Sequence, residues 1–414
     1  MAMSIKQQGW PRWPIADEET LEQLRLVLES GRWAISGPYT GEPTREQQFA
    51  EQFAAYNGVR WCVTLDHGTS ALIAALEALD IGAGDEVIVP GLTWVAPALA
   101  VISVNAVPVF ADVERDTLCM DVHAVEQVMT KRTRAILAVH MYGNMTDMDA
   151  MQALAEKHGL YLIEDAAHSH GASWNGRMAG SLGHIGVFSM QQGKVLTCGE
   201  GGAAITDEDE LKDRLEASAW NARTRIAPSE QLLFPMSLDE GMPRFGTNRC
   251  LSEFQAAVLL DQLPRLDRQN RMREAHAGWL DHQCSQIQGV QVMRKDPRIK
   301  QRTYYGYVLQ LDPQECPISA HDLIAHLQQD LQMGDFLLHS AYKPLYRNPL
   351  FRPHPRRHAI GAAYMEALQR QSGPLANCEY AYANSIVFHH SILLADQAQL
   401  SRLVEALAFR ITGK

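Results

Sequence analysis

Between residue 59 and about residue 206 the chain alternates short apolar runs with helical stretches, and no other feature constrains the fold as much. Residues 60–66 predict a strand and GTSALIAALEAL a helix. EVIVP (86–90) and VPVFADV (107–113) predict strands on either side of a helix over 94–105. A helix over 122–129 leads into RAILAVHMYG (134–143), a strand; MDAMQALAEKHG (148–159) is a helix and LYLIEDAA (160–167) another strand. The strand runs are apolar on both faces, as in a mostly parallel sheet covered by helices on both sides. IGVFSM (185–190) and GGAAITD (201–207) then follow each other without an intervening helix. A parallel pair needs a long crossover, so an antiparallel strand is expected here.

Outside this region the pattern is looser. Residues 1–16 predict an extended arm, with Trp10 and Trp13 beside Pro11 and Pro14. A helix over 17–31 has Asp17 in position to cap it. GRWAISGPYTG (31–41) is too aromatic for a solvent loop. A second helix over 44–58 carries Phe49, Phe53 and Tyr56 on one face. Further helices are expected over 208–223, from 251 with a break or bend near Pro264, over 318–332 and over 403–412. Residues 303–311 predict a strand. The division that follows is an arm, helix and active-site loop over 1–43, a large domain over 44–270 and a small α+β domain over 271–414.

Composition excludes several function classes. With 46% hydrophobic and 21% charged residues, the chain is globular and not disordered. Its 37 Lys and Arg against 48 Asp and Glu leave a net charge of -11, unsuited to nucleic acid or an anionic membrane surface. Seven cysteines show no CxxC spacing, which speaks against a metal site or a disulfide scaffold. No run resembles a signal peptide or a membrane span, so a soluble cytoplasmic protein is expected.

Chemistry should be sought at the carboxyl ends of the strands, where α/β sheets bind ligands. DHGTSAL (66–72) puts Gly68, Thr69 and Ser70 at a strand-to-helix turn, suited to a phosphate or to a plain helix cap. In LIEDAAHSHG (162–171), Glu164 and Asp165 end an apolar strand. In FSMQQGKVLTCGEGGAAIT (188–206), Lys194 sits among almost uncharged neighbours. A phosphate cradle, a carboxylate and a lysine in a largely uncharged segment suit pyridoxal 5'-phosphate, which the lysine holds as a Schiff base. Trp94, after EVIVP, is placed to cover the cofactor ring.

GTSAL, GDEVIVPGLTWVA, PVFADV, VHMYG, IEDAAHSHGA, GVFSMQQGKVLTCGEGG and GTNRCLSEFQAAVLLDQL, in this order, resemble the DegT/DnrJ/EryC1/StrS aminotransferases. These are fold-type I pyridoxal phosphate enzymes, and the resemblance implies a seven-stranded-type, mostly parallel sheet. It also implies that Lys194 and Asp165 are catalytic, the one holding the aldehyde and the other pairing with the pyridine nitrogen. Trp94 would stack on the ring and His168 lie near its hydroxyl. Gly68, Thr69, Ser70 and Ser189 would hold the phosphate, with Asn248 reaching it from a partner subunit. A homodimer with shared active sites follows.

RWAISGPYTG, RTYYGYVLQLDP and HSAYKPLYRNPLF resemble the aminocyclitol branch of the family. Members of that branch move the amino group of L-glutamine to a cyclic ketone of the 2-deoxy-scyllo-inosose or scyllo-inosose type, in antibiotic biosynthesis. Tyr39, Tyr304, Tyr305, His339 and Tyr342 are then candidates to contact the polyhydroxy ring. DAAHSHGASWNG and HMYGNMTDMDA also resemble 3-amino-5-hydroxybenzoate synthases, and nucleotide-linked keto-sugar aminotransferases remain a further alternative.

Overall fold

The alternating apolar runs build a seven-stranded sheet in the computed structural model, which describes residues 9–37, 41–225, 236–238, 242–351, 361–370 and 373–413. Its strands are β1 (Trp61–Leu65), β2 (Glu86–Pro90), β3 (Val107–Ala111), β4 (Thr133–Val139), β5 (Tyr161–Asp165), β6 (Ile185–Ser189) and β7 (Gly202–Thr206). The order across the sheet is β1-β7-β6-β5-β4-β2-β3. From β6 to β3 each neighbour is parallel, while β7 runs antiparallel to both β6 and β1. The expected break in order is therefore present, and its cause is the missing crossover helix between β6 and β7.

Helices α1 (Glu18–Ser30) and α2 (Arg45–Asn57) precede the sheet. α3 (Gly68–Ala78), α4 (Ala96–Ser103), α5 (Val122–Val128), α6 (Met148–His158) and α7 (Asp209–Ala219) connect or flank its strands. The pleat divides the core in two. Val87 and Val89 join Leu72, Leu76 and Val101 on one face, while Ile88 between them joins Phe49, Phe53, Ile136 and Met151 on the other. Strands apolar on both faces are thus buried on both faces.

α8 (Glu253–Cys284) starts with a capping box between Ser252 and Gln255. It continues unbroken through Pro264 and past residue 270, so the expected domain boundary falls inside one helix. Beyond it, β8 (Val290–Val292), β9 (Gly306–Leu311), β10 (Leu338–Ser340) and β11 (Ser385–His389) form an antiparallel sheet in the order β8-β9-β11-β10. α9 (Ala320–Leu331), α10 (Ala362–Arg370), α11 (Ala376–Asn384) and α12 (Gln397–Thr412) complete the chain. α12 begins at Gln397, earlier than residue 403, because Asp396 and Gln399 form a capping box there. Among the described residues no helix is long and apolar enough to cross a membrane.

Two glycines separate close packing from simple backbone freedom. Gly143, at φ +87°, would place a Cβ 2.0 Å from the Thr303 carbonyl oxygen. Gly159, at φ +63° after α6, has open space around it. Gly159→Ala should destabilise by about 1–2 kcal/mol, the left-handed backbone penalty alone. Gly143→Ala should add a steric clash and lose at least about 3 kcal/mol, both read from urea unfolding.

Candidate active site

The loops after β1, β2, β5 and β6 meet at the carboxyl edge of the large sheet around a cavity of about 410 Å³. At its floor the pleat of β5 separates two adjacent carboxylates. Glu164 is fully buried on one side. It accepts hydrogen bonds from the amides of Gly180, Leu182 and Gly183 at 3.0, 2.6 and 2.6 Å. His140 Nε2 lies 2.9 Å from its other flank. Thr146 N–H donates to His140 Nδ1, so the imidazole proton sits on Nε2 and points at the carboxylate. Glu164 is therefore structural.

Asp165, the next residue, turns the opposite way and lines the cavity. It is 6% exposed, and Oδ1 accepts from the Ala167 amide at 3.1 Å. Burial pushes its carboxyl above the usual range; the Ala167 hydrogen bond and the charge of Lys194 pull the other way. A carboxylate in this position gains from a cationic partner in the cavity.

Lys194 lies in the loop between β6 and β7 and is 8% exposed. Its Nζ is 4.2 Å from the centre of the Tyr305 ring, and it makes no ion pair among the described residues. Tyr305 stacks in turn on His168, with centroids 3.9 Å apart at 11°. The Tyr142 amide donates to His168 Nδ1 at 3.4 Å, leaving the proton on Nε2. Burial holds His168 well below its ordinary range, with the charges of Lys194 and His170 adding to the effect. Tyr142 sits at φ +52°, a left-handed backbone that brings its phenol oxygen within 3.3 Å of the Tyr342 amide, which donates to it. Burial first, and then the neighbouring Tyr305 and Tyr142, raise the Tyr342 phenol.

α3 begins at the cavity. Its N-cap is His67, whose side chain makes no capping bond, so neither Thr69 nor Ser70 serves as the cap. A Cβ on Gly68 would fall 2.5 Å from Ser189 Cβ, so only glycine lets the first turn of α3 approach β6 this closely. Gly68, Thr69 and Ser189 line the cavity together with Trp94, Tyr305 and Tyr342. Trp94 is 55% exposed and tilts against Tyr342 at 5.8 Å.

Other sequence candidates lie elsewhere. Ser70 is half-buried outside the cavity lining. Asn248 is exposed, and its Oδ1 accepts from the Cys250 amide in its own loop; Ser252 caps α8 in its place. Tyr304 is a correction. Adjacent residues of an extended segment point opposite ways, so while Tyr305 faces Lys194, Tyr304 is buried in the core of the small sheet under Arg302. His339 is a second correction: it lies on β10 outside the cavity, with Nδ1 2.7 Å from the Ser340 carbonyl oxygen. Tyr39 lies outside the described residues. Sequence reading missed Tyr142, Thr93 and Gln191; for Tyr142 the available signal was an aromatic before glycine just past an apolar strand.

These features fit the expected cofactor. The lysine is buried and makes no ion pair among the described residues, and one carboxylate has an oxygen facing the cavity. The glycine leaves room at an uncapped helix start. A model described as the DegT/DnrJ/EryC1/StrS aminotransferase family matches residues 14–372. The chain is 43% identical over 409 residues to an L-glutamine:2-deoxy-scyllo-inosose aminotransferase of Streptoalloteichus tenebrarius, covering 98% of this chain and 95% of that protein. It is 44% identical over 393 residues to an L-glutamine:scyllo-inosose aminotransferase of Streptomyces griseus, covering 94% and 92%. Among solved structures, 3-amino-5-hydroxybenzoic acid synthase superposes with a TM-score of 0.82 at 30% identity, covering 97% of this chain and 98% of the other.

Four buried imidazoles make the fold acid-sensitive. Burial is the main cause that lowers His168 and His390 well below their usual range, His170 to about 3 and His389 to about 4. The unfolded chain takes up protons near pH 6.5 and the folded one does not, so stability is full above that value and falls as pH drops. Between pH 7.5 and 5.5 each of the four should remove roughly 1 kcal/mol. Urea melts at the two values should differ accordingly; a loss under about 2 kcal/mol would show that these rings are not held neutral.

Proposed function

The chain belongs to the DegT/DnrJ/EryC1/StrS aminotransferase family, and on that premise we propose that it moves the amino group of L-glutamine to a cyclic polyhydroxy ketone. The acceptor is of the 2-deoxy-scyllo-inosose or scyllo-inosose type, the cofactor pyridoxal 5'-phosphate and the setting aminocyclitol antibiotic biosynthesis. The observation that carries the reading is the buried Lys194, without an ion pair among the described residues, sharing one cavity with Asp165. The near full-length likeness to the inosose aminotransferases supports the substrates.

Lys194 would hold the cofactor aldehyde through Nζ, and Asp165 would face the pyridine nitrogen and keep its proton in place. The first turn of α3 at Gly68, Thr69 and Ser70, with Ser189, would receive the phosphate; Trp94 would cover the ring and His168 would donate from Nε2 near its hydroxyl. Bound there, the cofactor supplies an electron sink for the carbon that exchanges its amino group. Lys194 Nζ would be the base that moves the proton at that carbon. Tyr305 beneath Nζ limits where the amine swings, through a cation–π contact. Tyr305 and Tyr342 offer phenols to ring hydroxyls.

Asn248 is bridged through its backbone to Trp220, while its exposed side chain accepts only from the Cys250 amide among the described residues, a placement compatible with a homodimer that shares its sites. Among the described residues the cavity lining holds Lys194 and no arginine, and the α-carboxylate of L-glutamine must be received there as well, so the choice of a neutral polyol ketone as acceptor rests on the likeness to the inosose aminotransferases.

L-glutamine alone should bleach the visible absorbance of the yellow protein, and 2-deoxy-scyllo-inosose or scyllo-inosose should restore it. Restoration by a nucleotide-linked keto sugar and by no cyclitol ketone would overturn the acceptor. Borohydride should fix the cofactor mass to the peptide containing Lys194. Lys194→Ala should lose that label and at least about 100-fold in turnover.

A further inference from the structure

Three successive carbonyl groups of the loop that carries Lys194 are held by ring N–H groups from remote parts of the chain. Trp13 Nε1, in the N-terminal arm, lies 3.0 Å from the Gln192 oxygen and 3.1 Å from the Lys194 oxygen. Between them, the Gly193 oxygen lies 3.2 Å from His389 Nε2 and 3.1 Å from His390 Nε2, at the end of β11.

The proton positions follow from the partners. The Ser391 amide donates to His389 Nδ1, so that nitrogen is the acceptor and Nε2 carries the hydrogen. A carbonyl only accepts, so His390 must also carry its proton on Nε2. Gly193 thereby has both lone pairs filled by neutral donors. Both imidazoles are buried, at 5% and 0% exposure.

The rings brace one another. Trp13 meets His390 edge-on at 4.5 Å, and His389 and His390 have centroids 4.1 Å apart. The guanidinium of Arg273, fully buried on α8, lies 5.1 Å from the Trp13 ring. Its Nη1 donates to Asn270 Oδ1 at 2.9 Å. Inside the loop, the Lys194 amide donates to the Gln191 oxygen at 2.8 Å, and the Gly193 amide to Gln191 Oε1 at 2.7 Å. None of these rings reaches the cavity, yet they account for the carbonyls on both sides of Lys194 Cα.

We propose that Trp13, His389 and His390 are positioning residues: they clamp the Gln192–Lys194 backbone, so that the arm and the small sheet together set where Lys194 Nζ stands. The inference rests on the reading of Lys194 as the reacting amine. A lysine side chain has four rotatable bonds, and its reach is only as defined as its Cα. Gly193 allows that loop more backbone freedom than any other residue would. Ring N–H donors fix the backbone without bringing a charge beside the ammonium.

The test uses the full chain. Trp13→Phe and His390→Phe keep an aromatic ring and remove a donor; His390→Gln keeps an N–H. In the cofactor-free protein, amide exchange of the 190–198 peptide should rise about fivefold or more in both Phe variants, the loss of one hydrogen bond, with β4 and β5 unchanged. In the holoenzyme kcat should fall about tenfold while KM for the amino donor stays within about twofold, since the amine is misplaced and the donor contacts are intact. His390→Gln should restore exchange and kcat to within about twofold of the unmodified protein.

Unchanged loop exchange and kcat in Trp13→Phe would overturn the clamp. So would faster exchange throughout β4 and β5, which marks general destabilisation. If His390→Phe does not fold, Trp13→Phe decides alone. Absence of a borohydride label at Lys194 in the unmodified protein would instead overturn the reading of the site, while the exchange data would still judge whether the rings hold the backbone.

Discussion

The buried charge of Glu164 is the interaction on which the site depends. A carboxylate with no exposure is tolerated only when its oxygens are fully occupied, and here three amides and one imidazole N–H occupy them. Those donors come from the 180–183 turn and from the end of β4, so satisfying the charge locks the last turn of β5 to its surroundings. Strand geometry then leaves Asp165 no choice of direction. It faces the cavity because its neighbour is committed to the other side.

The large sheet was legible because strands buried on both faces leave uninterrupted apolar runs, and its helices alternate with them. The small sheet was mostly illegible. β8 and β10 have three residues each, too short for a period of two to show, and β11 (SIVFH) follows directly on α11 without a turn signal. The candidate site was legible where a residue's surroundings in sequence were chemically odd, as with Lys194 among neutral neighbours. It was not legible where the answer depended on which of two adjacent side chains points inward. Glu164 against Asp165 turns on strand phase and Tyr304 against Tyr305 on the path of the chain into β9, and only the packed sheets supply either.

Electrostatics inside the molecule bear no relation to its acidic surface. The net charge of -11 describes the chain as a whole, whereas the region around Lys194 holds a second buried cation, Arg273, with amide and π partners. Burial drives Arg273 down to about 9 and holds the nearby imidazoles neutral. Neutral rings suit this region: an imidazolium would add a third positive charge beside Lys194 and Arg273. The same burial raises Asp165, so its ionised form gains from any cation that enters the cavity.

Gly193 is where three parts of the chain meet. Its carbonyl is bonded to the end of β11, the carbonyls beside it to the arm, and its own amide to Gln191 in its own loop. α8 joins the same arrangement through Arg273 and, by running unbroken past residue 270, ties the large sheet to the small one. A lysine on a glycine-containing loop would otherwise be among the least defined groups in the site. Distributing its anchors over the arm and the end of β11 means that the amine is positioned only when both are packed. The second sheet, which contributes Tyr305 to the cavity, thus also holds the backbone of the residue that Tyr305 faces.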